Sequence, residues 1–96
     1  MNHYEAMFIF RPDITEEKLD KEMKSIKRSI KTHGKGDVQF TNLGKKTLAY
    51  PVHKYDEGVY VNYEFTAQPA GIAKIKKSFK HRENILRVLI IVKGRS

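Results

Sequence analysis

Residues 3–10 divide into two sets of side chains that alternate along the chain. Tyr4, Ala6, Phe8 and Phe10 form a wholly hydrophobic set, whereas the other set mixes polar and apolar residues and consists of His3, Glu5, Met7 and Ile9. Because successive side chains of a strand point to opposite faces, the alternation predicts a strand over residues 3–10 with one buried face. Pro12 ends this strand, since proline lacks the N–H that a sheet ladder needs.

A helical period replaces the alternation after Thr15. The apolar residues now recur along one stripe, Leu19, Met23, Ile26 and Ile30. Thr15 suits the N-cap position, and the acidic Glu16 suits the positive end of the helix dipole. Asp13 with Glu16 forms a competing capping box. We predict an amphipathic helix that stops at Gly34 and Gly36.

Two more strands are predicted in the middle of the chain. The first covers Val38–Val52, is interrupted by a bulge near Leu43–Gly44, and has Pro51 near its end, which is typical of an edge strand. A turn over residues 54–58 precedes the next strand. The apolar positions of that strand alternate with polar ones and are Val59, Val61, Tyr63 and Phe65.

The last part of the chain holds a second helix and a fourth strand. The spacing of Ile72, Ile75 and Phe79 predicts a short helix. Ile85–Val92 is apolar except for Arg87 and predicts a strand. The order β-α-β-β-α-β indicates an α+β, ferredoxin-like fold, with a four-stranded antiparallel sheet and two helices on one face. In that topology the first and third strands are central, and the second and fourth are edges.

Size and charge narrow the class of protein. Ninety-six residues, 40% of them hydrophobic, predict one domain over residues 1–96. The chain has 19 Lys and Arg against 11 Asp and Glu, a net charge of +8, of which +7 lies in residues 71–96. Such an excess favours polyanionic partners.

The absence of cysteine excludes disulfides and thiolate metal sites. The longest apolar run, Val88–Val92, is too short to cross a membrane, and no signal peptide is recognisable.

Other functions that this fold supports lack the residues they need. Val59 and Val61 stand where an RNA-recognition motif carries its stacking aromatics. No glycines surround Arg11, as a phosphate cradle of the acylphosphatase kind would require. The histidines are not at metal-ligand spacing; they are His3, His33, His53 and His81. We therefore predict no enzyme activity, no cofactor, no metal and no small-molecule substrate.

Basic side chains remain as the candidate chemistry. The C-terminal excess follows the second predicted helix and the last strand, through Lys74, Lys76, Lys77, Lys80, Arg82, Arg87, Lys93 and Arg95. The lysines of the helix are typical of a solvated face. Arg87 interrupts an apolar strand, so its side chain is expected to leave through the open face or the edge of the sheet. We predict that Arg82 and Arg87 contact a polyanion.

The segment Gly44–Lys54 reads GKKTLAYPVHK and resembles the G-x-[KR]-x-L-A-Y-P-[IV]-x-K stretch of the small-subunit ribosomal protein S6 family. Three further elements agree in order and spacing, Tyr4-Glu5, Gly58-x-Tyr60 and Arg82–Val88. The resemblance covers about residues 3–93. Two positions depart from it: Asn2-His3 stands where members often have basic residues, and Leu86 stands where a second arginine commonly precedes Arg87.

The resemblance implies a non-catalytic subunit that binds the central domain of the small-subunit ribosomal RNA as a pair with ribosomal protein S18. The residues that it carries over to the RNA side are Lys45, Lys46, Lys54, Lys80, Arg82 and Arg87. The candidates that it suggests for the protein partner are Tyr50, at the end of the second strand, and Tyr60 and Asn62, on the open face.

The cellular location and one alternative function are also expected. The resemblance implies a ribosome in a bacterial cytoplasm, with an organelle matrix or stroma as the other setting. The alternative to RNA binding is a ferredoxin-like protein-interaction or regulatory module that uses the open sheet face, with its charge serving solubility. Salt-sensitive binding to RNA distinguishes the two functions.

Overall fold

The structure is a computed structural model that describes residues 1–80 and 82–94, so His81 and Arg95 lie outside the described residues. Its elements are two helices and four strands: β1 (Asn2–Phe10), α1 (Glu16–Gly34), β2 (Lys35–Val52), β3 (Tyr55–Ala67), α2 (Pro69–Ser78) and β4 (Ile85–Gly94). The predicted element order is therefore confirmed.

The strands form one antiparallel sheet in the order β2-β3-β1-β4. β1 and β3 are central and β2 and β4 are edges, as the sequence predicts. The β1–β3 ladder runs from the Asn2–Ala67 pair to the Phe10–Val59 pair. The part of β3 before Val59 therefore extends beyond the end of β1 and pairs with β2 alone.

The core lies between the helices and one face of the sheet. The even residues of β1 and the odd residues of β3 supply its sheet side, and Phe8 and Phe10 are fully buried. From the helices, Ile26, Ile30 and Ile75 are fully buried in the same cluster. Both helices therefore cover one face, because residues from α1 and α2 pack on the same row of strand side chains. The opposite face is open.

Local contacts decide between the two predicted starts of α1 and show what causes its end. The Oγ1 of Thr15 accepts a hydrogen bond from the backbone N–H of Lys18 at 3.2 Å, whereas Asp13 pairs with Arg11, so Thr15 is the N-cap. The helix ends because Lys35 adopts a left-handed conformation with φ 62°. The helix ends at Gly34, where the sequence predicts a stop, but its left-handed terminating residue is Lys35 and not a glycine. A Cβ on Gly34 would lie 2.8 Å from the Cβ of Ala67, so this glycine allows close packing on β3.

The turn between β2 and β3 is shorter than predicted. The turn expected over residues 54–58 is instead a two-residue turn at His53 and Lys54, with φ 50° and 70°, and β3 already begins at Tyr55. Positive φ at both central residues matches the twist of a hairpin. The predicted bulge is confirmed, since the register shifts between Asn42 and Gly44.

Candidate nucleic-acid interface

The β2–β3 hairpin projects past the end of β1, and we call its residues 45–58 the arm. Gly44 lies at its base with φ 85°, and its N–H donates to the Oδ1 of Asn42 at 2.8 Å. Left-handed backbone at this point suits glycine. The arm carries three of the predicted RNA-side residues, Lys45, Lys46 and Lys54, and all three are exposed.

Arg87 reaches the arm from the opposite edge of the sheet. Its Nη1 donates a hydrogen bond to the hydroxyl of Tyr50, and its Cζ lies 5.6 Å from the centroid of the Tyr50 ring. The hydrogen bond with Tyr50 is the main cause that raises the pKa of Arg87, and Tyr60 contributes to the same direction. The contact joins β2 to β4, which β3 and β1 separate in the sheet.

This contact brings together residues to which the sequence assigned different partners. Tyr50 and Tyr60 are candidates for protein binding, and Arg87 is a candidate for RNA binding. Arg87 remains solvent-exposed beside Tyr50, so the guanidinium presents the N–H groups that Tyr50 does not use. Arginine in this state suits bidentate contact with phosphate, because its planar fork is already oriented.

Arg82 makes intramolecular contacts that the sequence did not predict. Its Nη1 lies 3.4 Å from the Oε1 of Glu22, and its Nη2 donates to the Oγ of Ser25 at 3.2 Å. The guanidinium also lies 5.6 Å from the ring of Phe79. Arg82 therefore connects the α2–β4 loop to α1, and 26% of its side chain is exposed. The remaining surface of Arg82 faces a cleft that Tyr55 of the arm also lines.

Lys80 lies elsewhere. It is exposed just after α2 and borders a hollow beside the middle of β4. The predicted RNA-side residues therefore fall into two places: Lys45, Lys46, Lys54, Arg82 and Arg87 surround the arm, and Lys80 borders the α2–β4 hollow.

Arg11 also lines the cleft beside Tyr55 and Arg82, although the sequence reasoning considered it only for a phosphate cradle and not for the RNA side. Its Nε and Nη2 donate to the two carboxylate oxygens of Asp13 at 3.1 and 3.0 Å, and its Cζ lies 5.8 Å from the ring of Tyr55. The hydrogen bond with Asp13 is the largest cause that raises the pKa of Arg11, and its counterpart lowers the pKa of Asp13. The only sequence signal for Arg11 was its position directly after a central strand.

The open face carries the remaining candidates. Asn62 pairs with Met7 on β1 and Thr41 on β2, and its buried Oδ1 has no hydrogen-bond partner within the described residues. Tyr50 is 56% exposed. Leu89 and Ile91 of β4 are 59% and 43% exposed, and the sequence reasoning did not select them. Both are in register with β1 on the edge strand that the topology predicts, so their exposure follows from the fold and not from a local sequence signal.

The alternatives weighed from the sequence can also be placed on the structure. Val59 and Val61, at the stacking positions of an RNA-recognition motif, are buried in the core. Within residues 1–80 and 82–94 there is no group of three or more His, Cys, Asp or Glu side chains that would hold a metal ion. Among the same residues no helix is long and apolar enough to cross a membrane.

Comparison with known proteins gives a consistent result. Residues 3–92 match the family model described as Ribosomal protein S6. The chain is 35% identical over 94 residues to the small ribosomal subunit protein bS6 of Desulforamulus reducens, covering 98% of this chain and 99% of that protein. It is 34% identical over 90 residues to bS6 of Thermosynechococcus vestitus, covering 94% and 79%.

A solved structure shares the fold. The crystal structure of 30S ribosomal protein S6 from Thermotoga maritima superposes with a TM-score of 0.90, covering 96% of this chain and 87% of that one. The two sequences are 24% identical. This likeness confirms the ferredoxin-like arrangement of the four strands and two helices.

Proposed function

Because this chain belongs to the ribosomal protein S6 family and is thus a protein of the small ribosomal subunit, we propose that it binds the central domain of the small-subunit ribosomal RNA together with ribosomal protein S18. In this proposal it acts as a single domain over residues 1–96, without catalysis, and in the bacterial cytoplasm, since the relatives named above are bacterial. Its role is to hold RNA in a fixed geometry.

The observation that carries the RNA proposal is the basic arm beside Arg87. Lys45, Lys46 and Lys54 are exposed on the arm, and Arg87 is oriented against it by Tyr50. Phosphate contacts of this kind position a protein on RNA and supply affinity through release of counterions. No base-stacking platform is needed for that mode, which agrees with the burial of Val59 and Val61.

Arg82 and Lys80 have separate parts in the proposal. Arg82 shares its guanidinium between Glu22, Ser25 and the arm cleft, so an RNA phosphate would use only its exposed fraction. Lys80 is exposed beside β4 and would contribute a point charge to RNA that passes along this side of the molecule.

The protein partner is proposed to use the open face. The buried carbonyl oxygen of Asn62 has no hydrogen-bond donor among the residues that the structure describes, and an unpaired buried acceptor is costly until a donor reaches it. Tyr60 and the exposed Tyr50 lie around Arg87. A donor from S18 to Asn62, with Tyr50 and Tyr60 packing beside it, would place S18 next to the RNA-contacting arm.

The test measures binding to a transcript of the central domain, with and without S18, across a salt series. We expect affinity to fall steeply with salt, and Arg87→Ala to reduce it by about tenfold. Arg28→Ala is the matched control, since Arg28 is an exposed arginine on α1 and its removal changes the net charge equally.

Two results would overturn the proposal. Salt-insensitive binding that Arg87→Ala leaves unchanged would remove the arm from the RNA contact. Failure of the protein to co-sediment with the small ribosomal subunit even at low salt would favour the protein-interaction module instead.

A further inference from the structure

The outer edge of β4 is the most exposed apolar strand edge of the molecule. β4 pairs with β1 on its inner side, and no other described strand pairs with its outer side. The register shifts at both of its ends, between Ile9 and Phe10 and between His3 and Tyr4 on β1, so residues 87–92 form the regular stretch between. Five consecutive residues of it, Val88–Val92, are aliphatic.

The other edge of the sheet is protected in ways that β4 is not. β2 has a bulge at Gly44, the exposed Lys45 and Lys46, and Pro51 near its end, all of which discourage the addition of another strand. β4 has charged residues only at the start of its regular stretch, Arg87, and just beyond its end, Lys93. A long, aliphatic edge without protection is a template for strand addition.

Both sides of this edge have apolar surface for an added strand. On the open face, Leu89 and Ile91 are exposed and lie in register with Met7 and Glu5 of β1. On the helix face, Val88 and Ile90 are half-buried against the core. A hollow follows the edge there, lined by Lys76, Phe79, Lys80, Val88, Leu89 and Ile90. An added strand would therefore place one row of side chains beside Leu89 and Ile91 and the other row over this hollow.

The charge around the hollow indicates what kind of strand fits. Lys76 and Lys80 are exposed, and neither belongs to an ion pair within residues 1–80 and 82–94. Glutamate side chains over the hollow would lay their methylene groups on Phe79 and bring carboxylates to the two lysines. A second copy of this chain is a poor occupant, because residues 71–96 carry +7 in each copy and would repel.

Lys80 beside this edge is a proposed contact for an RNA phosphate, but nucleic acid is a poor occupant of the strand edge itself. Val88–Val92 offers neither positive charge for phosphates nor flat aromatic rings for bases. We propose that the outer edge of β4 accepts an extended segment of another protein, with alternating aliphatic and acidic residues, as a fifth strand of the sheet. This inference goes beyond the proposed RNA binding and does not depend on it.

The probe is an end-blocked, fluorescein-labelled peptide of alternating valine and glutamate, added to the full chain. Fluorescence anisotropy reports binding, and amide hydrogen exchange reports protection of the outward-facing N–H groups between Arg87 and Val92. We expect saturable binding with protection there. A lysine-for-glutamate version should bind at least about tenfold more weakly, and a version with two central prolines should not bind, since proline cannot donate to the ladder.

The contribution of Lys76 and Lys80 is tested with charge-reversal variants of the protein and a control variant of the same net charge. The double change Lys76→Glu/Lys80→Glu should weaken binding of the glutamate peptide by about tenfold. The control Lys27→Glu/Arg28→Glu, on exposed positions of α1, produces the same net charge and should leave the affinity unchanged.

Five results would overturn the proposal. They are absence of binding by the glutamate peptide, equal binding of the proline or lysine version, an equal effect of the two charge reversals, protection of the β4 amides that rises with protein concentration without peptide, and their protection by an RNA oligonucleotide. RNA binding by the arm is measured on separate variants, so either proposal can fail alone.

Discussion

Tyr63 combines core packing with a polar contact at the centre of the molecule. Its side chain is fully buried on β3, with ring centroids 5.1 Å from those of both Phe8 and Phe40. Its hydroxyl donates to the backbone carbonyl of Met23 on α1 at 2.7 Å. Burial is the main cause that raises the pKa of Tyr63 above the ordinary value of 10.0. Just above pH 10, the hydroxyl therefore stays protonated in the folded protein, whereas it would ionise in the unfolded chain.

This shift predicts a loss of stability in alkali. Because the folded pKa of Tyr63 is raised, its contribution is complete below about pH 10 and is lost as the pH rises further. Tyr63→Phe should cost about 1 kcal/mol of unfolding free energy near neutral pH, and this difference should shrink above about pH 10. Urea unfolding across the pH range measures it. Tyr60→Phe, on the open face, is the control, and a pH-independent difference for Tyr63→Phe would contradict the assignment.

The conformation of a single glycine at the base of the arm gives a second prediction. Gly44 has φ 85°, and a Cβ there would meet nothing within 4 Å, so any effect of a side chain comes from the backbone alone. Gly44→Ala should lower the unfolding free energy by about 1 kcal/mol or slightly more, since a left-handed residue disfavours Cβ. Gly94→Ala, where a Cβ also has open space, should be nearly neutral. Equal effects of the two changes in thermal unfolding would refute the backbone explanation.

At the scale of elements, the two helices meet at a glycine. A Cβ on Gly71 of α2 would lie 2.4 Å from the carbonyl oxygen of His33, near the end of α1. Close by, the hydroxyl of Ser29 donates to that of Ser78 at 2.8 Å, which in turn donates to the carbonyl of Ile75 at 2.7 Å. The contact at Gly71 involves backbone, so it has little freedom to move away.

Gly71→Ala therefore should destabilise the protein even though alanine favours helices. Intrinsic propensity alone would raise stability by up to about 1 kcal/mol, whereas overpacking against backbone should lower it by about 1–3 kcal/mol. Chemical denaturation gives the sign. Ala73→Gly, at an exposed position of α2, measures propensity in the same helix, and a stabilised Gly71→Ala protein would mean that the helices separate easily.

The elements also show which structural information is local in the sequence. β1, α1, the bulge at Gly44 and the two edges were predictable, because alternation, helical period and a glycine within a strand report on the segment itself. The turn at His53 and Lys54 was not predictable, since two non-glycine residues with positive φ have no compositional signal. The pairing of Arg82 with Glu22 joins residues 60 positions apart, and this distance makes it invisible to reasoning on one segment.

At the scale of the whole molecule, charge is distributed unevenly over a body of 38 × 26 × 22 Å. The +7 of residues 71–96 identified the C-terminal part as the basic region, but the structure adds the neutral middle segment to it. Residues 34–70 carry equal numbers of acids and bases, and yet three of their four lysines lie on the arm, whose Tyr50 contacts Arg87. The net charge of each sequence segment therefore underestimated the positive charge of the arm.

This difference between total and local charge is testable. Lys45→Glu/Lys46→Glu on the arm and Lys27→Glu/Arg28→Glu on α1 change the net charge equally. We expect the arm variant to weaken RNA binding more and to reduce the slope of log affinity against log salt by about one for each phosphate that it no longer neutralises. Filter binding across a salt series measures both. Identical slopes for the two variants would indicate that only total charge matters.

The position of β1 between β3 and β4 has a consequence for synthesis. β1 is translated before the other described elements, whereas its neighbour β3 comes after α1 and β2, and its neighbour β4 comes after all the other described elements. A nascent chain that lacks β4 leaves one edge of β1 unpaired, whereas β2 and β3 can already form their hairpin. The sheet is therefore completed only after β4 has left the exit tunnel, and the formation of such distant pairs is intrinsically slow.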